Sequence, residues 1–174
     1  MRRILQIILV VLLLLVIVVA GLWAIGGRRY EYEFELSVNA PPEQIYPYLT
    51  DPQLLPKWIS GLVESKPVTE DGLRVGARSI ETVEEDGRRI TMESEVTRYE
   101  PNRVLESRLT NDMMDVLVIY ELQPDGNITK LRHKTSANYK GFFIRVIAPL
   151  IGGSVRSKLE GDLNRLKQLS ELNQ

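Results

Sequence analysis

The chain has 174 residues and a formal net charge of −1 at pH 7, a length typical of one domain or of one domain with an appendage. The near-neutral charge gives no indication of a nucleic-acid partner, because such partners are bound by basic surfaces. The absence of cysteine excludes disulfide bridges, a thiol nucleophile and thiolate metal sites.

The first predicted element is an apolar helix over residues 4–25. Gln6 is the only clearly polar residue of this run, and a helix of that length extends ~33 Å, enough to cross a hydrocarbon core of ~30 Å. Trp23 lies near one end of the run, where an indole ring favours the headgroup boundary. The pattern predicts an N-terminal transmembrane anchor within residues 1–29, a segment that also includes a short linker.

Processing and orientation of this segment each have an alternative. A cleaved signal peptide would have a shorter apolar core, about 7–15 residues, followed by a small-residue cleavage site, so an uncleaved signal-anchor is preferred. Arginine pairs flank both ends, at positions 2–3 and 28–29, and the positive-inside rule therefore finds little asymmetry. The short N-terminal tail favours a domain on the extracytoplasmic side. Gly26-Gly27 predicts a flexible joint that keeps the domain close to the membrane.

Residues 30–174 form the predicted soluble domain, which begins with a strand. Apolar and polar residues alternate from Tyr30 to Val38, the period-two pattern of a half-buried strand. Two short helices and six further strands follow, separated by turns such as Glu85-Asp86-Gly87. The predicted helices cover residues 43–48 and 53–58, and the predicted strands cover residues 63–68, 77–84, 89–99, 104–109, 114–122 and 128–137.

A long helix is predicted over residues 141–169. Apolar residues of its second half recur at spacings of three and four and therefore share one face: Val155, Leu159, Leu163 and Leu166. Pro149 cannot donate a backbone hydrogen bond and Gly152-Gly153 follows it, so a kink or break is expected there. Strands joined in sequence by short turns predict an antiparallel sheet. The predicted fold class is α+β, with the long helix covering one face of the sheet.

The outer face of that sheet is predicted to be charged. Glutamates alternate with apolar residues in the first strand, and basic residues do so in the last one. The ridge formed by Lys130, Arg132 and Lys134 is expected to pair with glutamates of a neighbouring strand; contact with anionic lipid headgroups is the alternative.

Four stretches of the domain are similar to those of a known superfamily. They are FELSVNAPPEQIYPYLTDP, LLPKWISGL, YELQPDGNITKLRHKTS and the C-terminal helix. Their order resembles the helix-grip fold of the START-like superfamily, also called SRPBCC, and within it the polyketide cyclase/dehydrase-like branch. The resemblance covers about residues 30–170. It implies a curved, seven-stranded antiparallel sheet wrapped around the long C-terminal helix, with a cavity between them that takes lipids, sterols, polyketides or quinones.

The resemblance also implies which side chains would line that cavity. The apolar faces of the strands over residues 89–99, 114–122 and 128–137 would point towards the helix, although a filled core shows the same alternation. The candidate cavity residues are Trp58, Ile90, Met92, Val118, Tyr120, Leu131, His133, Phe142, Val146 and Leu150.

His133 and Tyr120 are the candidate polar groups among them. His133 is the only histidine, and no Ser-His-Asp or His-Glu pattern lies near it to orient a general base. A single histidine is also a poor basis for a metal site. His133 is expected to be a hydrogen-bonded residue of the core or cavity wall, with ligand binding as the alternative. Tyr120 either packs or directs its hydroxyl to a ligand or to His133, and Trp58 either packs or covers the cavity mouth.

Three functions remain open on these grounds. The first is a membrane-anchored domain that binds a hydrophobic or amphipathic, lipid-like small molecule. The second is an enzyme of the polyketide cyclase or dehydrase type that uses His133 or Tyr120, and the third is a protein-interaction module at the membrane. Binding is preferred, and the sequence predicts no catalytic residue, no metal, no cofactor and no nucleic-acid partner. Ligand identity and oligomeric state stay open.

Overall fold

The computed structural model describes residues 2–85 and 87–172. Asp86 of the predicted turn lies outside the described residues. So do Met1, Asn173 and Gln174, which the predicted anchor segment and domain included.

Within the described ranges the chain forms four helices and seven strands, and these include every helix and strand that the sequence predicts. The helices are α1 (Arg2–Gly26), α2 (Pro42–Thr50), α3 (Leu55–Trp58) and α4 (Phe142–Glu171). The strands are β1 (Tyr30–Val38), β2 (Leu62–Pro67), β3 (Arg78–Glu85), β4 (Arg88–Glu100), β5 (Val104–Thr110), β6 (Met114–Asp125) and β7 (Ile128–Tyr139).

The seven strands form one antiparallel sheet in the order β1-β7-β6-β5-β4-β3-β2. Consecutive strands from β2 to β7 are neighbours, and β1 closes the sheet beside β7. The sheet is curved, and the long helix α4 lies in its concave face together with α2 and α3. The predicted helix-grip α+β fold is confirmed.

The core lies between the inner face of the sheet and the C-terminal half of α4. Val38 of β1, Ile45 of α2 and Leu131 of β7 are fully buried, as are Leu163 and Leu166 of α4. Burying a side chain of this size stabilises a fold by about 1.5–3 kcal/mol relative to leaving it in water. These contacts fix the C-terminal half of α4 on the sheet.

Charged side chains cover the outer face where β1 and β7 pair. Glu33 of β1 accepts a hydrogen bond from Arg132 Nε at 2.6 Å, and Lys134 Nζ lies 3.8 Å from the same carboxylate. Lys130 instead lies 3.1 Å from Asp125. The predicted pairing of this ridge with a neighbouring glutamate is confirmed for Arg132 and Lys134. Because these pairs are largely exposed, each contributes at most about 1 kcal/mol.

A kink or a break was predicted at Pro149, and the break does not occur, because α4 runs without interruption from Phe142 to Glu171. Pro149 removes one backbone donor, the N–H that would bond to the carbonyl of Arg145. Contacts on the sheet side hold the helix through this point. Ala148 is buried, and the Tyr32 hydroxyl donates a hydrogen bond to the Gly152 carbonyl at 3.4 Å.

Among the described residues, α1 is the one helix long and apolar enough to cross a membrane. Its side chains are exposed over most of its length, and its C-terminal end packs against α4. Val19 and Leu22 are half-buried there, and Gly26 is buried. A Cβ at Gly26 would overlap the carbonyl of Arg145, so glycine permits this close approach. The expectation of a flexible joint is therefore wrong at Gly26, which is a packed contact.

Replacing Leu163 with alanine should lower the free energy of unfolding by about 2–5 kcal/mol, because it leaves a cavity in the core that the sheet and α2 cannot refill. Urea denaturation followed by circular dichroism measures the change. Leu172→Ala is the matched control, since Leu172 is 77% exposed and should shift stability by no more than about 0.5 kcal/mol. Equal effects of the two substitutions would contradict the assigned core.

Candidate ligand-binding cavity

A cavity of about 440 Å³ lies between the inner face of the sheet, the α2–α3 region and the C-terminal half of α4. That volume falls within the ~300–1,000 Å³ typical of small-molecule sites. Its apolar lining includes Leu55, Trp58, Ile59, Leu62, Leu73, Ala77, Val83, Met92, Val96, Leu105, Leu109, Val116, Val118, Tyr120, Leu159 and Leu163. Its polar lining includes Ser65, Ser79, Glu81, Ser94, Ser107, His133, Thr135 and Asp162.

A row of four ring side chains runs along one wall of the cavity: His133, Tyr120 and Trp58 line the cavity, and Phe34 packs behind His133. Phe34, His133 and Tyr120 lie opposite one another on β1, β7 and β6. The His133 ring stacks on Phe34 with centroids 6.2 Å apart and is 4.7 Å from Tyr120. Trp58 meets the Tyr120 ring edge-on at 6.1 Å. Such ring pairs add about 0.5–1.5 kcal/mol beyond simple burial, so they stabilise this wall.

His133 is held within that row with one ring nitrogen bonded and the other free. Its Nε2 lies 2.8 Å from Thr135 Oγ1. Its Nδ1 is buried and has no hydrogen-bond partner among the described residues. Burial lowers the pKa of His133 to about 4, because an apolar surrounding disfavours the charged ring. At neutral pH the imidazole is therefore uncharged and can donate or accept a hydrogen bond at Nδ1, depending on its tautomer.

Tyr120 presents a neutral phenol to the same space. Burial raises the pKa of its hydroxyl, and the nearby negative charge of Asp162 adds to that rise. Asp162 itself ties α4 to the loop after α3: its Oδ1 accepts hydrogen bonds from the Ser60 backbone N–H at 3.1 Å and the Ser60 hydroxyl at 2.5 Å. Arg165 also pairs with Asp162 and donates to the Trp58 carbonyl at 3.2 Å. These bonds hold Trp58 at the cavity wall.

Glu81 is a second buried polar group of the cavity, and it is absent from the residues predicted from the sequence. Only 8% of the residue is exposed. Its Oε1 accepts hydrogen bonds from the hydroxyls of Ser79 at 2.7 Å and Ser65 at 2.9 Å, whereas Oε2 is buried without a partner among the described residues. Burial raises the pKa of Glu81, and the two serine hydrogen bonds oppose that rise.

The period of β3 shows which side chains share a face with Glu81, but not which face points inward. Ser79, Glu81 and Val83 alternate with Arg78, Ile80 and Thr82. Because successive side chains of a strand point to opposite faces, Glu81 shares a face with Val83, and both line the cavity. Ile80 points outward and is 38% exposed. A reader of the sequence would place the isoleucine inside and the glutamate outside, the reverse of what the structure shows.

Half of the sequence-predicted cavity residues line the cavity. Trp58, Met92, Val118, Tyr120 and His133 do so. Ile90 lies along a second depression on the other side of Met92, and Leu131 is fully buried in the core beneath the wall.

The remaining three candidates, on the first part of α4, do not line the cavity. Phe142 and Leu150 are 54% and 68% exposed, and Val146 is half-buried. Ile144 and Ala148 pack towards the sheet instead. The stretch FFIRVIAPLI is apolar on nearly every side, so its period does not define an inward face. The contact with α1 and the phase of the C-terminal half set the rotation of the helix.

Within residues 2–85 and 87–172 no cluster of three or more histidine, aspartate or glutamate side chains is arranged to hold a metal ion. The polar groups of the cavity are dispersed along its wall. They suit hydrogen bonding to a ligand more than coordination of a cation.

Comparison with known families gives one match over most of the chain. The model of a family described as polyketide cyclase/dehydrase and lipid transport matches residues 29–171. The match extends over β1 to β7 and all of α4. No curated protein sequence matches the chain significantly.

Solved structures share the fold at low sequence identity. TTHA0849 from Thermus thermophilus superimposes with a TM-score of 0.67 at 17% identity, covering 81% of this chain and 97% of its own. MLL2253 from Mesorhizobium loti superimposes with a TM-score of 0.61 at 22% identity, covering 80% of this chain and 96% of its own. CV1439 from Chromobacterium violaceum superimposes with a TM-score of 0.63 at 18% identity, covering 81% of this chain and 96% of its own. At these identities the likeness establishes the fold alone.

Lowering the pH from 7 to 4 should destabilise the protein relative to its His133→Gln variant. The pKa of His133 is about 4 in the folded protein and about 6.5 in an unfolded chain. The unfolded state therefore binds more protons between these values, and stability that is complete above pH ~6.5 is lost as the pH falls towards 4. The loss approaches about 3 kcal/mol, since one pKa unit corresponds to ~1.36 kcal/mol.

Urea denaturation of both proteins at several pH values measures this difference. Other titrating groups, including Glu81, contribute equally to both and cancel. If the free energies of unfolding of the two proteins changed in parallel with pH, the burial assigned to the neutral His133 ring would be contradicted.

Proposed function

Because the chain belongs to the polyketide cyclase/dehydrase and lipid transport family, we propose that it is a membrane-tethered protein that binds one hydrophobic or amphipathic, lipid-like molecule between its sheet and α4. The observation that carries the proposal is the cavity of about 440 Å³. Protein interiors are otherwise close-packed, so a space of this size under a helix requires an occupant or a reason to stay open.

The lining of the cavity supports an amphipathic occupant. Its walls are mainly apolar, and two buried polar atoms, Glu81 Oε2 and His133 Nδ1, lack partners among the described residues. An unpaired buried polar atom costs about 1–3 kcal/mol. A ligand with a hydroxyl or another hydrogen-bond donor offsets that cost at Glu81, and its hydrocarbon part fills the space between Met92, Val118 and Tyr120.

Binding explains these groups better than catalysis does. A general base must be oriented by a partner and must lie near the proton it removes. Among the described residues, His133 has a hydrogen-bonding contact with Thr135, a hydroxyl that orients the ring without making it more basic. Burial also lowers its pKa to about 4, which weakens it as a base at neutral pH.

The tether is α1. The helix is long and apolar enough to span a bilayer, and its exposed apolar side chains have no protein surface covering them over most of its length. Anchoring would hold the cavity at high local concentration beside the lipid from which its ligand comes. The proposal places the domain on the extracytoplasmic side, with the N-terminus of α1 inside.

Filling the cavity should abolish ligand retention. Val118→Phe adds a ring into the apolar space beside Tyr120, so residues 28–174 carrying this substitution should lose the co-purifying lipid-like molecule that the unsubstituted domain retains in native mass spectrometry. Val63→Phe is the matched control, because Val63 is 47% exposed on β2. Equal retention by the two variants, or no retained molecule in the unsubstituted domain, would count against binding in this cavity.

Glu81→Leu should stabilise the empty domain and weaken its binding of an alcohol. Removing an incompletely paired buried carboxyl group should raise the free energy of unfolding by about 1 kcal/mol, since a gain of about 1–3 kcal/mol is partly offset when the Ser65 and Ser79 hydroxyls lose their acceptor. The same change removes the acceptor for a ligand hydroxyl, so the affinity for 1-decanol should fall about tenfold, a change of ~1.4 kcal/mol. Isothermal titration calorimetry and urea denaturation of residues 28–174 measure the two effects.

The control for this pair of measurements is Glu93→Leu on the outer face of β4, where the side chain is exposed. It should leave both the affinity for 1-decanol and the stability nearly unchanged. A Glu81→Leu variant that bound 1-decanol as tightly as the unsubstituted domain would remove Glu81 from the proposed site.

A further inference from the structure

We propose that the first third of α4, residues 142–151, is a lipid-contacting segment that lies in the boundary of the same bilayer that α1 crosses. This inference rests on the proposed anchor but goes beyond it. According to this inference, a second surface in addition to the anchor helix determines how the whole domain is oriented on the membrane.

The segment exposes large apolar side chains. Phe143 is 81% exposed and Leu150 is 68% exposed, and Phe142 and Ile147 are 54% and 45% exposed. Residues 143, 147 and 150 have the spacing of one helix face. Scattered apolar residues are ordinary on protein surfaces, but a contiguous group of this kind marks an interaction site.

The packing of α1 on α4 places this face at the end of the membrane span. Gly26, the last residue of α1, lies against the carbonyl of Arg145, so closely that a Cβ would overlap it. The Arg145 guanidinium lies 5.6 Å from the centroid of the Trp23 ring. An indole near the end of a span favours the headgroup boundary. Arg145 is therefore at that depth, and the exposed face belongs to the same turns of α4.

The joint between the two helices is built from backbone. Pro149 has no N–H, so it cannot bond to the carbonyl of Arg145 four residues earlier. Gly26 occupies the space beside that carbonyl, where its Cα can make a weak C–H···O contact. The Arg145 side chain is fixed as well, because its Nε donates to the Tyr139 carbonyl at 3.1 Å. The position of the segment relative to α1 is therefore defined by several contacts.

The surroundings of the face have the composition of a lipid boundary. Arg145 is the one charged residue of the sequence from Phe142 to Ile151, and its aliphatic stem suits burial with the charged end at the headgroups. Arg28 and Arg29 are exposed directly after α1, where basic side chains attract anionic lipid.

A bilayer is the occupant that this arrangement favours over a protein partner. The face belongs to the stretch of α4 against which the end of α1 packs, so a bilayer that surrounds α1 would lie beside it. An amphipathic helix lying in the interface buries its apolar side about 5–10 Å into the acyl boundary. The segment would hold α4 against the membrane and present the domain in one orientation.

The absence of cysteine from the chain allows a direct test in the full-length protein. Single cysteines are introduced by Phe143→Cys and Leu150→Cys and labelled with a nitroxide in vesicles of neutral and anionic phospholipid. Collision with oxygen, which concentrates in lipid, is compared with collision with a water-soluble nickel chelate. Asp125→Cys at the end of β6 is the aqueous control, and Leu12→Cys in the middle of α1 is the lipid control.

Labels at 143 and 150 should give an oxygen-to-nickel ratio between those at 12 and 125, several-fold above that at 125. If 12 lies in lipid while 143 and 150 behave like 125, the inference is overturned and the anchor stands. If 12 is also accessible to nickel, the proposed anchor fails together with it. Immobilised labels at 143 and 150, shielded from both agents, would show a protein occupant and overturn the lipid assignment.

Discussion

The seating of α4 in the curved sheet is the constraint on which the rest of the structure depends. Its C-terminal half is fixed by the buried Leu163 and Leu166, and its first third is held by Ala148 against β7 and by α1. Beside the helix, strands β2 to β5 and the α2–α3 region face Leu159, Asp162 and Leu163 across a space that their side chains do not fill. The cavity therefore depends on where the helix is seated in the sheet.

The cavity contains two buried polar side chains, His133 and Glu81, that are incompletely hydrogen-bonded. His133 is neutral and stacked between Phe34 and Tyr120, and Glu81 is bonded through one carboxylate oxygen only. Both have a stability cost that apolar residues would avoid. Sites retained at such a cost are typical of binding surfaces, where function and stability favour different residues. The cavity and its two incompletely paired groups therefore support the same conclusion.

Much of the fold follows from the sequence, because period-two strands, turn residues and the amphipathic end of α4 are local signals. The site follows less well. Glu81 was missed because a glutamate beside an isoleucine is assigned outward unless the register of the strand is known. Phe142, Val146 and Leu150 were placed inside because an all-apolar stretch has no defined inner face. The close contact of Gly26 with Arg145 depends on two helices far apart in sequence, which no local pattern encodes.

The most direct measurement is a structure of the full-length protein purified from membranes with whatever it carries. Elongated density between the sheet and α4, with a polar end within hydrogen-bonding distance of Glu81 Oε2 or His133 Nδ1, is the expected result. A cavity that is collapsed, or filled by its own side chains or by water alone, would contradict the proposal that this domain binds a lipid-like molecule.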